Sequence, residues 1–261
     1  MNYKYYQVDA FSDKVFGGNP ACVVPLQNWL SDDLLLKIAQ ENAVAETAFF
    51  IDNGESVDLR WFTPDLEIDL CGHATLAAAH ILKTILHYPL DEIVFKTLSG
   101  VLRVTYHDGL YYLDLPSRAP ITTVLPEEIK SALNIQPQEV YKSRDYMLVY
   151  RNKQEIKDIQ INRQYFDQIN LGCGGVIVTA TGNTHDFVSR FFTPQATILE
   201  DPVTGSAHCT LIPFWSARLS KKNLQALQLS KRGGELSCRN NSDRVIVGGQ
   251  ATTYSSGEFF I

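Results

Sequence analysis

Hydrophobic and polar residues alternate along much of the chain, in short runs that predict many β-strands. The segment Tyr3 to Phe11, YKYYQVDAF, alternates in this way, and ETAFFI and VDLRWF continue the pattern. The stretch IVFKTLSGVLRVTYHDGLYYLDL predicts consecutive strands joined by turns at Ser99-Gly100 and Asp108-Gly109. Two other stretches predict helices. One follows the N-cap candidate Ser31 and reaches about Glu41, and the other, HATLAAAHILKTIL, is apolar on most sides and predicts a buried helix.

Proline marks a candidate boundary in the middle of the chain. The segment PSRAPITTVLPEE, from Pro116 to Glu128, contains three prolines and leads into a short predicted helix. We therefore expect an N-terminal lobe over residues 1–116, completed by a C-terminal strand within 250–261. A C-terminal lobe is expected over residues 117–249.

An internal repeat relates these two parts of the chain. The stretch RWFTPDLEIDLCGHATL begins at Arg60, and RFFTPQATILEDPVTGSAHCTL begins at Arg190. Arg, Phe-Thr-Pro and a later isoleucine recur at one constant offset. After a short insertion, Gly72-His73-Ala74 falls on Gly205-Ser206-Ala207, and each triplet lies at the start of a largely apolar predicted helix. The repeat predicts two similar α+β lobes whose helix N-termini occupy equivalent places.

Composition narrows the classes of function. The chain has 23 basic and 29 acidic residues, a net charge of −6, and no Lys/Arg cluster, which argues against a nucleic-acid partner. The five cysteines include no C-x-x-C pair, and this favours a reduced, cytoplasmic protein over a disulfide scaffold. The N-terminal residues lack the layout of a signal peptide, and no apolar run approaches the length of a membrane span. We expect a cytoplasmic protein without a membrane partner.

Glycines at the two helix starts indicate an anion site. A helix N-terminus leaves backbone N–H groups free and carries positive partial charge. Gly72 and Gly205 allow close approach of a carboxylate or phosphate to these groups. Asn19, after Gly17-Gly18, adds a further turn to such a site. If both lobes face one cleft, both helix ends point at one small anionic ligand.

Three ionisable residues are candidates for acid/base chemistry. Glu46 lies in the apolar stretch AVAETAFF, where partial burial would suit a general base, although an exposed structural glutamate is the alternative. Asp201 precedes the second glycine turn and is either a turn or capping residue or a second acid/base group. His73 lies in the first glycine turn. A single histidine is more often structural, but its place beside the expected anion site favours a role in chemistry.

The sequence argues against a metal site in DLCGHATLAAAH. Cys71 and His73 are two residues apart and His80 lies two helical turns further on, while no second cluster supplies the remaining ligands of a zinc site. No metal is therefore expected.

Several motifs together resemble the PhzF-like proteins, a family named for an isomerase of phenazine biosynthesis. They are VDAFSDKVFGGNPACVV, VAETAFF, RWFTPDLEIDLCGHATLAAAH, EDPVTGSAH, GELSCR and the closing GEF. The resemblance covers almost the whole chain and implies a diaminopimelate epimerase-like fold. In that fold two pseudo-symmetric lobes, each a mixed β-sheet wrapped around a central helix, hold the site between them.

The resemblance also implies a function. The family isomerase moves a hydrogen within its substrate without metal or organic cofactor. Its catalytic positions fall on Glu46, His73 and Asp201, and its site serine falls on Ser206. With these we expect Asn19, Gly72, His73, Thr204, Gly205 and Ser206 to bind a small anionic metabolite. A homodimer is expected because it is the commonest assembly of such enzymes.

Two alternatives stay open at this stage. The same fold hosts amino-acid racemases and epimerases that use one cysteine at each helix N-terminus. Cys71 lies near the first such position, but EDPVTGS contains no cysteine and Cys209 is expected inside the following helix, facing the core. Cys71 is therefore expected to act as a small buried hydrophobic residue. The second alternative is a non-catalytic protein that binds a ligand or a partner.

Overall fold

The computed structural model of the protein describes residues 2–261, which form two compact units. The first unit consists of the residues up to Leu115 together with Ile246–Ile261, and the second is Pro116–Val245. The lobe bounds expected from the sequence were 1–116 with 250–261, and 117–249.

Eighteen strands and six helices are present in the described residues. From the N-terminus to the first unit boundary they are β1 (Asn2–Ala10), β2 (Asn19–Pro25), α1 (Asp32–Asn42), β3 (Glu46–Asp52), β4 (Val57–Phe62), β5 (Glu67–Ile68), α2 (Gly72–Thr84), β6 (Glu92–Thr97), β7 (Gly100–His107) and β8 (Leu110–Pro116). After that boundary come β9 (Ile121–Thr122), α3 (Glu127–Ala132), β10 (Glu139–Lys142), β11 (Tyr146–Val149), α4 (Lys153–Asp158), α5 (Arg163–Phe166), β12 (Val176–Thr181), β13 (Phe187–Phe192), β14 (Glu200–Asp201), α6 (His208–Leu219), β15 (Asn223–Gln228), β16 (Gly234–Asn241), β17 (Arg244–Gly249) and β18 (Ala251–Phe260).

The two units repeat one order of strand pairings. In the first, β18 pairs antiparallel with β1, β1 antiparallel with β2, β2 parallel with β3, β3 antiparallel with β4, and β4 parallel with β6. In the second, β9, β10, β11, β12, β13 and β15 follow with the same alternation of antiparallel and parallel pairs. The two-residue strands β5 and β14 add to β4 and β13 respectively. The expected α+β fold of two similar mixed sheets is thereby confirmed.

Local sequence accounts for where several elements begin and end. Strand β4 coincides with VDLRWF, and α1 ends where Ala43 adopts a left-handed conformation with φ of 51°. Asp108 and Gly109 both have positive φ, as a tight turn between two strands of a hairpin requires, so β7 and β8 form the predicted hairpin.

Helix α2 forms the core of the first unit. All residues from Gly72 to Leu82 are buried, and the small side chains of its alanines let the surrounding strands approach closely. The predicted buried helix is confirmed, with its start at Gly72.

Helix α6 has the equivalent place in the second unit but begins later than expected. The sequence repeat predicts a helix start near Gly205-Ser206, whereas Gly205 to Ala207 form a turn and the helix begins at His208. Pro213 lies inside the helix and cannot donate to the carbonyl of Cys209. The backbone N–H of Arg118 donates to that carbonyl instead, at 2.8 Å, so the interruption leaves no buried acceptor without a partner.

Within residues 2–261, no helix combines the length and the apolar character needed to cross a membrane.

Candidate active site

Glu46 and His73 form an ion pair in the first unit. Glu46 is the first residue of β3, and His73 lies in the first turn of α2. Glu46 Oε2 is 2.8 Å from His73 Nε2, and the two side chains are 14% and 3% exposed. The distance is that of an ion pair, but the ring N–H is not aligned with the oxygen as in a regular hydrogen bond. The partly exposed carboxylate is therefore the member of the pair that a ligand can reach.

The surroundings of His73 favour its charged form. Burial by itself lowers the pKa of His73, whereas the neighbouring Cys71 and Glu46 raise it, and the balance lies well above the ordinary value. Burial raises the pKa of the Cys71 thiol to about 11, so this group is neutral near pH 7. Since the Cys71 thiol carries no charge near pH 7, we attribute the raised pKa of His73 to the carboxylate of Glu46.

Asn19 holds the other side of the His73 ring. Its Nδ2 lies 3.0 Å from His73 Nδ1, and Asn19 is completely buried. When the amide donates to Nδ1, the ring proton of neutral His73 resides on Nε2, facing Glu46. In the charged form of His73, Nδ1 also carries a proton. Rotation of the Asn19 amide by about 180° then places its oxygen Oδ1 opposite Nδ1 as the acceptor. Asn19 can therefore accommodate both protonation states of His73.

The backbone at Gly18 brings Asn19 to this position. Gly18 has a φ of +60°, and a Cβ atom there would lie 2.1 Å from the carbonyl oxygen of Ala10. Only glycine fits this close approach, which leads the chain from the β1–β2 turn directly into Asn19.

Cys71 contacts His73 but is not placed as a nucleophile. It is the N-cap residue of α2, it is 4% exposed, and its Sγ lies 3.5 Å from His73 Nδ1. Since the thiolate is the reactive form, the raised pKa of this buried thiol keeps it inert near neutral pH. The expected role as a small buried residue agrees with this environment.

Glu46, Cys71 and His73 together offer the donor types of a metal site. One ligand atom from each lies within 4.8 Å of the others. However, Glu46 faces Nε2 of the ring, whereas Cys71 faces Nδ1. The two nitrogen lone pairs point in different directions, so the three donors do not converge on one ion in this arrangement.

The candidate residues of the second unit lie together in the turn before α6. Asp201 ends β14 and is half-buried, Thr204 is 5% exposed, and Ser206 is half-buried. The Thr204 hydroxyl donates to Asp201 Oδ2 at 2.5 Å. Gln228, at the end of β15, bonds to both Asp201 and Thr204 and was not identified from the sequence. The sequence feature that could have identified Gln228 is its position in the strand NLQALQ, where the alternation of side chains turns this polar residue toward the core.

Backbone N–H groups are available at both helix starts. Among the described residues, no acceptor is bonded to the N–H groups of Gly72 and His73. The same holds, over residues 2–261, for the N–H groups of Gly205, Ser206 and Ala207. The positive end of each helix lies at these groups, and such an arrangement binds carboxylates or phosphates.

The repeated Arg-x-Phe-Thr-Pro motif has a structural role beside these turns. Arg60 makes two hydrogen bonds to the carboxylate of Glu67, both at 2.7 Å, and Arg190 makes the equivalent pair to Glu200 at 2.7 and 3.0 Å. Each pair ties the two-residue strand β5 or β14 to its neighbour. Because Glu200 directly precedes Asp201, the second pair fixes the chain at a candidate site residue.

Known proteins resemble the chain over its full length. A family model described as Phenazine biosynthesis-like protein matches residues 8–257. A Pseudomonas aeruginosa protein named as an uncharacterized isomerase is 46% identical, over 98% of each chain. The crystal structure of a PhzF-family phenazine biosynthesis protein from Enterococcus faecalis is 44% identical, with a TM-score of 0.94 over 100% of both chains. A hydroxyproline epimerase from Agrobacterium vitis, 10% identical with a TM-score of 0.62 over 98% of this chain and 92% of that one, shares the fold alone.

Proposed function

We propose that the protein is an isomerase that moves a proton within a small carboxylate-bearing metabolite. The chain belongs to the phenazine biosynthesis-like protein family, in which relatives are named as isomerases. The resemblance found in the sequence is thus confirmed as family membership. The proposed reaction uses side chains of the protein for proton transfer, without a metal or an organic cofactor.

The Glu46–His73 ion pair is the observation that carries this proposal. His73 favours the charged imidazolium beside the Glu46 carboxylate, and Glu46 is the more exposed of the two. In the proposed reaction Glu46 accepts a proton from a carbon made acidic by conjugation or by an adjacent carboxylate. The electron pair of that C–H bond then spreads over the substrate. Glu46 returns the proton to a second carbon, so the substrate and product have the same composition.

Anion stabilisation is the second part of the proposed mechanism. The backbone N–H groups of Gly72 and His73 would hold an anionic oxygen of the substrate, and the imidazolium of His73 would stabilise the delocalised anion. Gly205, Ser206 and Thr204 are proposed to bind a substrate group at the second turn, with Asp201 as an acid/base or polarising group. That both turns serve one substrate between the lobes stays a prediction from the sequence repeat. Cytoplasmic location and homodimeric assembly also stay predictions.

Two-thiol racemase chemistry is not supported by the cysteines. Burial raises the pKa of Cys71 to about 11 and that of Cys209 to about 12. Cys209 is completely buried in α6, as the sequence predicts, so neither thiol is both reactive and accessible. The proposed base is therefore the carboxylate of Glu46.

Solvent-hydrogen exchange tests the proposal. The protein is incubated in deuterated water with a panel of small unsaturated and α-substituted mono- and dicarboxylates, and label uptake is followed by NMR. We expect uptake into one class of compound with the unmodified protein, and none above background with Glu46→Gln. Glu55→Gln, on an exposed loop of the same unit, is the matched control and should exchange normally. Equal exchange by Glu46→Gln would refute Glu46 as the base. Specific binding of a panel member without exchange by the unmodified protein would support the non-catalytic alternative.

A further inference from the structure

Gln228 is a completely buried polar residue at the end of β15. The inward positions of this strand are Leu224, Ala226 and Gln228, and the first two belong to the apolar core. Burying a side-chain amide costs free energy unless its donors and acceptor are all bonded. The partners of Gln228 therefore indicate why a glutamine occupies this core position.

All polar atoms of the Gln228 amide bond to the turn before α6. Oε1 accepts from the backbone N–H of Thr204 at 2.9 Å. Nε2 donates to the backbone carbonyl of Asp201 at 2.8 Å and to Thr204 Oγ1 at 3.1 Å. The opposite orientation of the amide would place two donors together and two acceptors together, so the orientation is fixed by its partners.

These bonds determine where the Thr204 hydroxyl points. Because Nε2 of Gln228 donates to Oγ1, the hydroxyl proton is directed to the other neighbour, Oδ2 of Asp201, at 2.5 Å. The carbonyl of Thr204 is held as well, since His208 Nδ1 lies 2.8 Å from it. The carbonyl accepts a hydrogen bond from the Nδ1–H group of His208, so every polar atom of Thr204 has a partner.

We propose that Gln228 is a positioning residue for Asp201, acting through Thr204. It directs the Thr204 hydroxyl to the Asp201 carboxylate and so fixes one carboxylate oxygen and favours its charged form. Among residues 2–261, the side-chain amide of Gln228 bonds only to Asp201 and Thr204, and it is assigned no contact with a reacting atom. The proposal rests on the proposed function in one respect, the role of Asp201 as an acid/base or polarising group.

Carboxyl-carbon NMR titration of Asp201 tests this proposal without a substrate. The Asp201 resonance is assigned with Asp201→Asn, and its titration midpoint is compared between the unmodified protein, Gln228→Met and Thr204→Val. We expect the midpoint to rise by about 0.5 to 1 pH unit in both variants. Thr204→Val removes the hydroxyl that donates to the charged carboxylate, and Gln228→Met removes the bond that directs this hydroxyl to it. Thr204→Ser keeps the hydroxyl and should keep the midpoint.

The matched control is Gln225→Met, a substitution on an exposed position of the same strand, which should leave the midpoint unchanged. If circular dichroism shows that Gln228→Met does not fold, the midpoint of Thr204→Val supplies the test. A folded Gln228→Met or Thr204→Val protein with the unmodified midpoint would overturn the proposal. This outcome is separate from failure of the proposed function, which the exchange assay on Glu46→Gln detects.

Discussion

Two buried neutral histidines are expected to make the fold sensitive to mild acid. His80 lies in α2, with its Nδ1 3.1 Å from the hydroxyl of Tyr111 and its Nε2 2.9 Å from Thr253 Oγ1. His208 is completely buried at the start of α6. Burial lowers the pKa of each histidine from 6.5 to about 4. Protonation of either ring therefore favours the unfolded chain, in which the ordinary pKa is restored.

The size of this effect follows from the two pKa values. Because the pKa of each histidine is lower in the folded protein than in the unfolded chain, the stability associated with its neutral ring is present above pH 6.5. This stability is lost as the pH falls from 6.5 toward 4. Between pH 7 and pH 5 each histidine costs about 2 kcal/mol, and together they cost about 4 kcal/mol, a large part of the usual stability of a protein. His73 has the opposite sign, because its folded pKa is raised. The stability that the protonated His73 ring contributes is already fully present below pH 6.5. His73 therefore changes the free energy of unfolding little between pH 6.5 and pH 5.

Urea unfolding at pH 7 and pH 5, followed by circular dichroism, measures the effect. We expect His80→Gln to be less stable than the unmodified protein at pH 7, because the hydrogen bonds of His80 to Tyr111 and Thr253 are disturbed. Between pH 7 and pH 5, its free energy of unfolding should fall by only about half as much as that of the unmodified protein. His107→Gln, at a histidine whose side chain is 78% exposed, should keep the full drop. An unchanged drop in His80→Gln would refute the assignment of a neutral buried imidazole at this position.

Three further predictions concern the candidate site and its supports. Glu46→Gln removes the neighbouring carboxylate and should lower the pKa of His73, as measured by NMR titration of the ring; an unchanged pKa would contradict the ion pair. Arg190→Gln leaves the carboxylate of Glu200 without its bidentate partner and should lower the free energy of unfolding by about 3 kcal/mol, and a loss below about 1 kcal/mol would argue against a supporting role. Cys71→Ala should retain label uptake in the exchange assay, since the thiol is buried and neutral, whereas complete loss would restore a role for the sulfur.

The sequence predicted the local elements well because their causes are local. Alternation placed β4 at VDLRWF, and the alanine-rich stretch placed α2 within one residue of its observed start. The Arg60 and Arg190 repeat correctly indicated two similar units. The structure adds the reason for that repeat, which is a bidentate arginine–glutamate pair beside each helix start.

Other features depend on contacts between distant parts of the chain and could not be read in this way. The partner of Asn19 is 54 residues away, and that of Gln228 is 24 residues away. The start of α6 was predicted too early, because the turn at Gly205 to Ala207 resembles a first helical turn in sequence. Gln228 had a detectable local cue, a polar residue at an inward strand position, but its function becomes evident only from its bonds to Thr204.

The central claim is that Glu46 transfers the proton. Its most direct measurement is the rate of deuterium uptake into a turned-over carboxylate by Glu46→Gln, relative to the unmodified protein and to Glu55→Gln at equal protein concentration. We predict a loss of at least about 100-fold for Glu46→Gln alone, the usual minimum for removing a general base. Uptake by Glu46→Gln at the rate of the two reference proteins would contradict the account.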